Sequence, residues 1–226
     1  MPWVFRVCLV VGLVSACATT VPQDKAPLPT DHIELDPLVL KAGKTGVVAL
    51  QARPLFKSAT KDYSSARYDD ALDKFLVVIE NFPTSKYAQH AHFNAGLAAM
   101  RLERWEDALG HHERARKALG GTSDEWDALL QITHCLEKLA RWKELRLSAH
   151  ELLTRGKVNV TARVEVRARL GIARYQMGEL ALAERAFKRV LNDYKKNISV
   201  PALERNPYVS QAQYLIGEIY GGLFAS

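Results

Sequence analysis

Cysteine, blocks of like charge and long apolar runs are all scarce in this chain of 226 residues. Cys8 and Cys17 lie in the amino-terminal leader, so the rest of the chain holds only Cys135 and forms no internal disulfide. The formal net charge is +6, yet no five like charges stand in a row. Acidic and basic residues alternate instead, as in Arg101–Asp107, which is typical of solvated helix faces. We therefore expect no nucleic-acid partner.

Sequence motifs of known catalytic chemistry are also missing. The chain contains no GxSxG, no phosphate-binding loop, no dinucleotide fingerprint, no HExxH and no CxxC. His90 and His92 are two positions apart and His111 and His112 are adjacent, so the members of each pair point to different sides of a helix. We expect no metal, no cofactor and no enzymatic activity.

The one continuous apolar stretch lies at the amino terminus. Residues 1–16 place Arg6 before the apolar run Val7–Val14 and end in small residues. This run is shorter than the roughly 20 residues that span a bilayer. It predicts a secretory signal peptide rather than a transmembrane helix.

The residues that follow this run carry a resemblance. Val14-Ser-Ala-Cys17 resembles the bacterial lipobox, which implies cleavage before Cys17 and its lipidation. The alternative is an ordinary signal cut after Ala16 or Ala18. More than one acyl chain would anchor the protein stably. Residue 18 is Ala rather than Asp, which by analogy with the enterobacterial sorting rule implies the periplasmic side of the outer membrane.

The next segment contains several prolines and no helical periodicity. Residues 17–50 include Pro22, Pro27, Pro29 and Pro37. This composition predicts the lipidated cysteine followed by a flexible linker, without a strand of useful length.

The remaining three quarters of the chain repeats itself. Small residues recur at intervals of 37, 37, 38 and 46, at Ala59, Gly96, Thr133, Gly171 and Gly217. Twelve positions after each of the first four stands Ala or Leu, preceded three positions earlier by a large side chain, as in Trp105-Glu-Asp-Ala108. The pattern resembles the tetratricopeptide repeat (TPR), a helix–turn–helix unit of about 34 residues.

That resemblance implies an all-α fold, a right-handed TPR-type α-solenoid of about four and a half repeats over residues 51–226. The predicted helices are 52–65, 68–81, 86–102, 105–118, 123–140, 142–155, 161–178, 180–195 and 208–223. Pro83-Thr-Ser85 is expected to end one helix and cap the next, and Thr122–Glu125 to form a capping box. The insertion 195–207 is open to two interpretations, a partner contact or a tolerated surface loop.

The first repeat carries a narrower resemblance. Tyr68–Phe75 followed by Asn81–Ala88 is similar to repeats of outer-membrane assembly lipoproteins (the assembly-factor D family) and of periplasmic proteins of cell-envelope division. The later repeats depart from it at Gly120-Gly121 and Gly156.

In the TPR family the second, fifth, ninth and twelfth positions of each repeat line a concave groove. Carried over to this chain, they predict partner-binding residues at Phe56, Tyr63, His90, Phe93, Met100, Asp127, Leu130, His134, Tyr175 and Tyr214, with Thr60, Leu97, Glu137, Glu165, Ala168 and Ile172 at further such positions. The alternative is that some of them form the core between helices. We expect about half to be accessible.

The resulting hypothesis is a membrane-anchored scaffold or adaptor in an outer-membrane envelope complex, serving barrel assembly, a secretin or pilus, secretion or motility. Its groove would hold a peptide or helix of another envelope protein. The alternatives are a structural spacer that self-associates, with the carboxy-terminal helix as the contact, and a non-catalytic binder of peptidoglycan or a small ligand.

Overall fold

The computed structural model describes residues 38–43 and 46–224. The predicted signal peptide, Cys17 and the proline-containing segment up to residue 37 lie outside the described residues.

Four helix pairs, one short helix and one long helix follow each other along the described chain. The helices are α1 (Ala52–Ser64), α2 (Tyr68–Asn81), α3 (Lys86–Arg101), α4 (Trp105–Ala118), α5 (Ser123–Lys138), α6 (Trp142–Arg155), α7 (Val160–Gln176), α8 (Leu180–Lys196), α9 (Pro201–Glu204) and α10 (Pro207–Phe224). Each of the helices from α1 to α7 packs on the next, and α8 packs on α10. First helices also contact one another, α1 with α3, α5 with α7 and α7 with α10. The expected TPR-type solenoid is confirmed.

The column of small residues is where the two helices of a repeat approach closely. A Cβ built on Gly96 would lie 2.6 Å from the His112 ring of α4, and one built on Gly171 would collide with the Phe187 ring of α8. Ala59 and Phe75 are fully buried together in the first repeat. A small residue is needed at these positions because a ring from the second helix fills the space over it.

Each first helix ends in the same turn. Seven residues after the small residue, the chain takes a left-handed conformation at Ala66 (φ 59°), Glu103 (φ 57°), Ala140 (φ 53°) and Gly178 (φ 76°). The amide of the following residue donates to a carbonyl five positions back, as Arg67 does to Asp62 at 2.9 Å. This is a Schellman motif, which satisfies carbonyls at the helix end and reverses the chain into the second helix.

Two cap predictions have different outcomes. Ser85 caps α3 as expected, because its hydroxyl accepts from the Ala88 amide at 3.2 Å. The prediction of a capping box at Thr122–Glu125 is wrong. The Thr122 hydroxyl donates backwards to the Leu119 carbonyl at 2.6 Å, and Glu125 accepts from the Gly121 amide at 2.9 Å.

Part of the predicted linker is folded. Leu38–Gly43 and Gly46–Gln51 form an antiparallel hairpin, β1 and β2, and β2 runs directly into α1. The interpretation of residues 38–50 as a flexible linker without strands is therefore wrong. Leu38, Val39 and Leu40 are apolar in succession, so the sequence shows no alternation of apolar and polar residues that would predict a strand. Leu38 and Leu40 are both exposed in the hairpin.

The insertion before α10 contributes to the core. Leu203 of α9 is fully buried in a cluster with residues of α7, α8 and α10. Asn206 is also buried, and its side chain accepts from the Tyr208 amide at 3.0 Å at the start of α10. The segment 197–206 therefore sets the position of α10 on the repeat stack.

None of the helices in the described part of the chain is both long and apolar enough to cross a membrane.

Candidate interaction groove on the inner helix layer

Two cavities lie along the inner layer formed by the first helices, and His134 lines both of them. The first, of about 360 Å³, is lined by Tyr63, Leu97, Met100, Arg101, Trp105, Gln131 and His134. The second, of about 470 Å³, is lined by His134, Glu137, Lys138, Pro207, Tyr208 and Gln211. We call these two cavities together the inner groove. They lie on either side of His134, and their lining residues come from the first, second, third and fifth repeats.

Aromatic rings form the sides of the first cavity. The rings of Trp105 and His134 lie 5.7 Å apart, and the Lys138 ammonium lies 5.6 Å from the Trp105 ring centre. On the opposite side, Tyr63 packs edge-on against Tyr68 at 5.4 Å. Rings supported in this way present apolar area at low conformational cost, which suits binding of an apolar side chain.

Arg101 lines this cavity, and Lys138, which lines the second cavity, stands beside it over the Trp105 ring. The Arg101 guanidinium donates to the Tyr63 hydroxyl at 3.4 Å, and this contact raises the pKa of Arg101. Among the residues described here, no carboxylate lies within 4 Å of Arg101 or Lys138. By contrast, Arg141 pairs with both Glu106 and Glu144. The first cavity therefore combines an apolar interior with uncompensated positive charge.

His134 stands in the neutral form at the centre of the inner groove. Burial, with smaller contributions from the cations of Arg169 and Lys138, lowers its pKa to about 4. A neutral imidazole has one donor and one acceptor nitrogen, so it can bond either type of peptide backbone group.

A buried ionic network ends the groove beside α10. Arg169 is only 4% exposed, and its Nε donates to Glu137 and to the Tyr208 hydroxyl, both at 3.1 Å. The Tyr208 hydroxyl donates to Glu137 Oε2 at 2.9 Å, while Arg169 also reaches the Thr133 hydroxyl at 3.4 Å. Burial is the main cause that raises the pKa of Tyr208 to about 12, so its hydroxyl stays a donor at all ordinary pH values.

The fourth repeat does not contribute the open groove that the TPR resemblance implied. Ala168 and Ile172 are buried in one cluster with Val209 and Ala212 of α10. The expectation that these two residues line a groove is wrong, because α10 packs over them. Of the predicted residues near this end, Tyr175 packs against the same cluster.

The ten predicted groove residues fall into different environments. None of them is fully buried: Asp127 and Tyr214 are exposed, and the half-buried ones are Phe56, Tyr63, His90, Phe93, Met100, Leu130, His134 and Tyr175. Only Tyr63, Met100 and His134 line the cavities of the inner groove.

Several of the other predicted residues serve the packing between helices. Phe56 meets the Phe75 ring at 5.5 Å, and Phe93 meets the His112 ring at 5.4 Å while packing on Ala115 and neighbouring core residues. Phe56 and Phe93 therefore contact mainly the adjacent residues of the helix core.

Two more of them take part in smaller local contacts. His90 lies 3.9 Å from the Asp124 carboxylate, and Leu130 packs on the core of the third repeat. Burial raises the pKa of Asp127, with the Asp124 charge adding to the effect.

Seven residues that line the inner groove were not predicted from the sequence: Arg101, Trp105, Gln131, Lys138, Pro207, Tyr208 and Gln211. Arg101 and Lys138 stand five positions after the small residues Gly96 and Thr133, so they occupy one shared repeat position. That shared register is the signal by which they could have been found.

Two histidines that are 19 positions apart in the sequence, His92 and His111, lie close together on the outer side of the repeats. His92 of α3 and His111 of α4 bring their Nδ1 atoms to 3.2 Å, beside a cavity of about 380 Å³ that Arg114 and Lys117 also line. Burial lowers the pKa of both imidazoles, in His92 to about 4. No group of three or more His, Cys, Asp or Glu side chains suited to a metal occurs among the residues the structure describes.

Solved structures with the same fold are TPR proteins. YrrB, described as a TPR protein with an unusual peptide-binding site, aligns with a TM-score of 0.57 at 21% identity, over 76% of this chain and 77% of its own. The apo form of RapI aligns with a TM-score of 0.63 at 8% identity, over 78% of this chain and 65% of that one. MamA gives 0.52 at 13% identity, over 72% and 92%. These likenesses establish the TPR fold.

No protein-family model and no curated protein matches the sequence.

Proposed function

We propose that this protein is a protein-binding scaffold whose inner groove holds a segment of a partner protein. The observation that carries the proposal is the first cavity, where aromatic side chains, a methionine and a neutral histidine line an open space of about 360 Å³ on the inner helix layer. TPR arrays use this layer as an extended binding surface. YrrB, of the same fold, has a peptide-binding site.

We further propose that the scaffold is lipid-anchored through Cys17 on the periplasmic side of the outer membrane and belongs to an envelope complex there. The support is the lipobox-like Val14–Cys17 after the short apolar run, and the proline-containing segment that would serve as a tether. The similarity of the first repeat to outer-membrane assembly lipoproteins points in the same direction.

Site-specific photocrosslinking in intact cells tests the groove. A photoreactive residue in place of Gln131, which lines the first cavity, is expected to capture one or a few defined envelope proteins. The matched control carries the same residue in place of Leu147, which is 64% exposed on α6 in the outer layer. Capture of the same proteins from both positions, or of none from Gln131 in a folded protein, would contradict the proposal.

The membrane anchor is tested separately. Replacing Cys17 with Ser is expected to move the protein from the membrane fraction to the soluble periplasmic fraction and to abolish incorporation of labelled fatty acid. Replacing Cys8 with Ser is the matched control and should change neither. Retention of label and membrane fractionation in the Cys17 variant would exclude this anchor.

Self-association through α10 is the second candidate function, favoured by one observation. Within the described part of the chain, no atom lies within 4 Å of a Cβ built on Gly217, whereas a ring from the second helix fills the space over Gly96 and Gly171. Tyr214, on the same helix, is 65% exposed. If copies associate here, sedimentation velocity will show a concentration-dependent oligomer that the change Tyr214→Arg dissociates. A monomer at all concentrations would exclude it.

A further inference from the structure

We propose that the inner groove selects acidic peptides. In this arrangement a large apolar side chain of the partner enters the first cavity between Tyr63 and Trp105, and an Asp or Glu side chain next to it pairs with Arg101 and Lys138. The inference rests on the proposed function and names the chemistry of the segment that the groove binds.

The size and the walls of the first cavity define the apolar half of this preference. Leu97 and Met100 stand on α3 between Tyr63 of α1 and Gln131 of α5, and Trp105 begins α4 beside them. A space of about 360 Å³ accommodates one large side chain and part of the adjoining backbone. Methionine adapts its shape to the ligand, which suits a pocket that accepts either an aromatic or a branched side chain.

The distribution of charge defines the acidic half. Arg101 and Lys138 occupy the same repeat position on the neighbouring helices α3 and α5. Arg101 lines the first cavity together with Trp105, and the Lys138 ammonium lies 5.6 Å from the Trp105 ring centre, so both cations border the space where a ligand carboxylate would lie. None of the seven residues lining the first cavity is acidic, and Glu137, which lines the second cavity together with Lys138, is already paired with Arg169.

The cations at the first cavity differ from the arginines next to the groove in having no carboxylate partner among the described residues. Elsewhere the arginines near the groove are matched, as Arg169 is with Glu137 and Glu165, and Arg141 with Glu106. Among the described residues the Arg101 guanidinium bonds only the Tyr63 hydroxyl, which leaves most of its donors available for a ligand carboxylate. Lys138 lies over the Trp105 ring, where it holds its charge beside the apolar pocket.

Selection from a displayed library of random twelve-residue peptides tests the inference. The bait is the full chain in detergent. We expect the selected peptides to carry an aromatic or large aliphatic residue with Asp or Glu within about four positions. The double variant Arg101→Gln/Lys138→Gln should bind the best of these peptides about tenfold more weakly, as loss of charge-assisted hydrogen bonds predicts.

A matched control removes the same two charges elsewhere. Arg114 and Lys117 are exposed on α4 at the outer cavity, and the variant Arg114→Gln/Lys117→Gln should bind within twofold of the unchanged protein. Changing the acidic residue of the peptide to its amide should weaken binding to the unchanged protein tenfold and to the Arg101/Lys138 variant hardly at all. Circular dichroism checks that both variants keep their helices.

The outcomes separate this inference from the proposed function. Selected peptides that are neutral or basic, or equal weakening by the two double variants, would overturn the acidic preference. If such peptides still compete with the photocrosslink from Gln131, the proposed function stands while the inference fails. If neither the library nor the photocrosslink yields a ligand, the proposed function fails with it.

Discussion

The Tyr208 hydroxyl donates a 2.9 Å hydrogen bond to Glu137 Oε2 and thereby joins α10 to α5, 71 residues earlier in the chain. Arg169 of α7 lies beneath this bond, with its guanidinium carbon 5.0 Å from the centre of the Tyr208 ring. The buried Arg169 cation therefore links three successive first helices, α5, α7 and α10. This network fixes the start of α10 across the inner layer of the fourth repeat and restricts the open groove to the part nearer the amino terminus.

Removing the Tyr208 hydroxyl tests how much this network contributes to the free energy of unfolding. We expect the change Tyr208→Phe to lower the free energy of unfolding by about 1–2 kcal/mol, because Glu137 keeps Arg169 but loses one donor to a charged acceptor. Urea denaturation measures the effect. Tyr214→Phe, at a 65% exposed position on the same helix, is the control and should change stability by less than about 0.5 kcal/mol. Equal effects of the two changes would show that the hydroxyl of Tyr208 contributes little.

The glycines of the small-residue column should differ in their tolerance of a methyl group. Gly96→Ala and Gly171→Ala each force a Cβ into a buried ring, so we expect losses of about 1–3 kcal/mol in the free energy of unfolding. Gly217→Ala meets open space within α10 and should gain up to about 1 kcal/mol from helix propensity. Thermal unfolding of the three variants is the measurement. A loss in Gly217→Ala as large as in the other two would mean that α10 packs against something there.

The turns between the helices of a repeat provide a stabilising substitution. Ala66 and Ala140 take the left-handed conformation at about 1–2 kcal/mol per residue, although Gly178 shows that glycine suits the same place in the fourth repeat. After the extra flexibility of glycine in the unfolded chain is subtracted, each change to Gly should raise the free energy of unfolding by up to about 1 kcal/mol. The reverse change, Gly178→Ala, is the matched control and should lower it. If Ala66→Gly destabilises the protein, the turn is held by side-chain contacts rather than by backbone preference.

Much of the fold could be predicted because each repeat encodes it locally. The long helices begin and end within two residues of their predicted bounds, since the small residue and the turn seven positions after it recur in each of the first four repeats. The hairpin Leu38–Gln51 and the short α9 were missed, because neither shows the helical period nor a clear alternation. Their positions depend on contacts with α1 and α10 that lie outside any local pattern.

The candidate site could be predicted only in part for a related reason. The repeat register identified Tyr63, Met100 and His134, because the same positions face inward wherever the repeats stack regularly. It failed at Ala168 and Ile172, because the insertion 197–206 directs α10 over them. The shared repeat position of Arg101 and Lys138 is visible in the sequence, but the absence of carboxylates near them is visible only in the three-dimensional contacts of the described residues.

Acidification should destabilise the folded domain. Burial lowers the pKa of His112 to about 3, that of His92 and His134 to about 4, and also that of His111, from an ordinary value of 6.5. The unfolded chain therefore binds more protons than the folded one below pH 6.5, so the free energy of unfolding falls as pH drops from 6.5 towards 4. Urea denaturation at pH 7, 6 and 5 should give steadily lower midpoints. A midpoint that is constant over this range would contradict the neutral, buried state of these imidazoles.

A single substitution isolates the contribution of His112. This fully buried ring occupies the position that Phe75 and Phe187 take in the first and fourth repeats, and its Nδ1 has no hydrogen-bond partner among the described residues. His112→Phe removes an unsatisfied polar atom and loses a 3.3 Å contact of Nε2 with the Met100 sulfur. We expect a net gain of about 1 kcal/mol in the free energy of unfolding at pH 7.

The gain should grow on acidification, since each pH unit below 6.5 costs a buried neutral histidine about 1.4 kcal/mol and costs phenylalanine nothing. At pH 5 the variant is therefore expected to exceed the unchanged protein by about 3 kcal/mol. His150→Gln, at an exposed position of α6, controls for loss of a histidine and should leave the pH dependence unchanged. If His112→Phe were instead less stable at pH 7 and equally sensitive to acid, the Met100 contact and the shape of the smaller ring would outweigh the unsatisfied nitrogen.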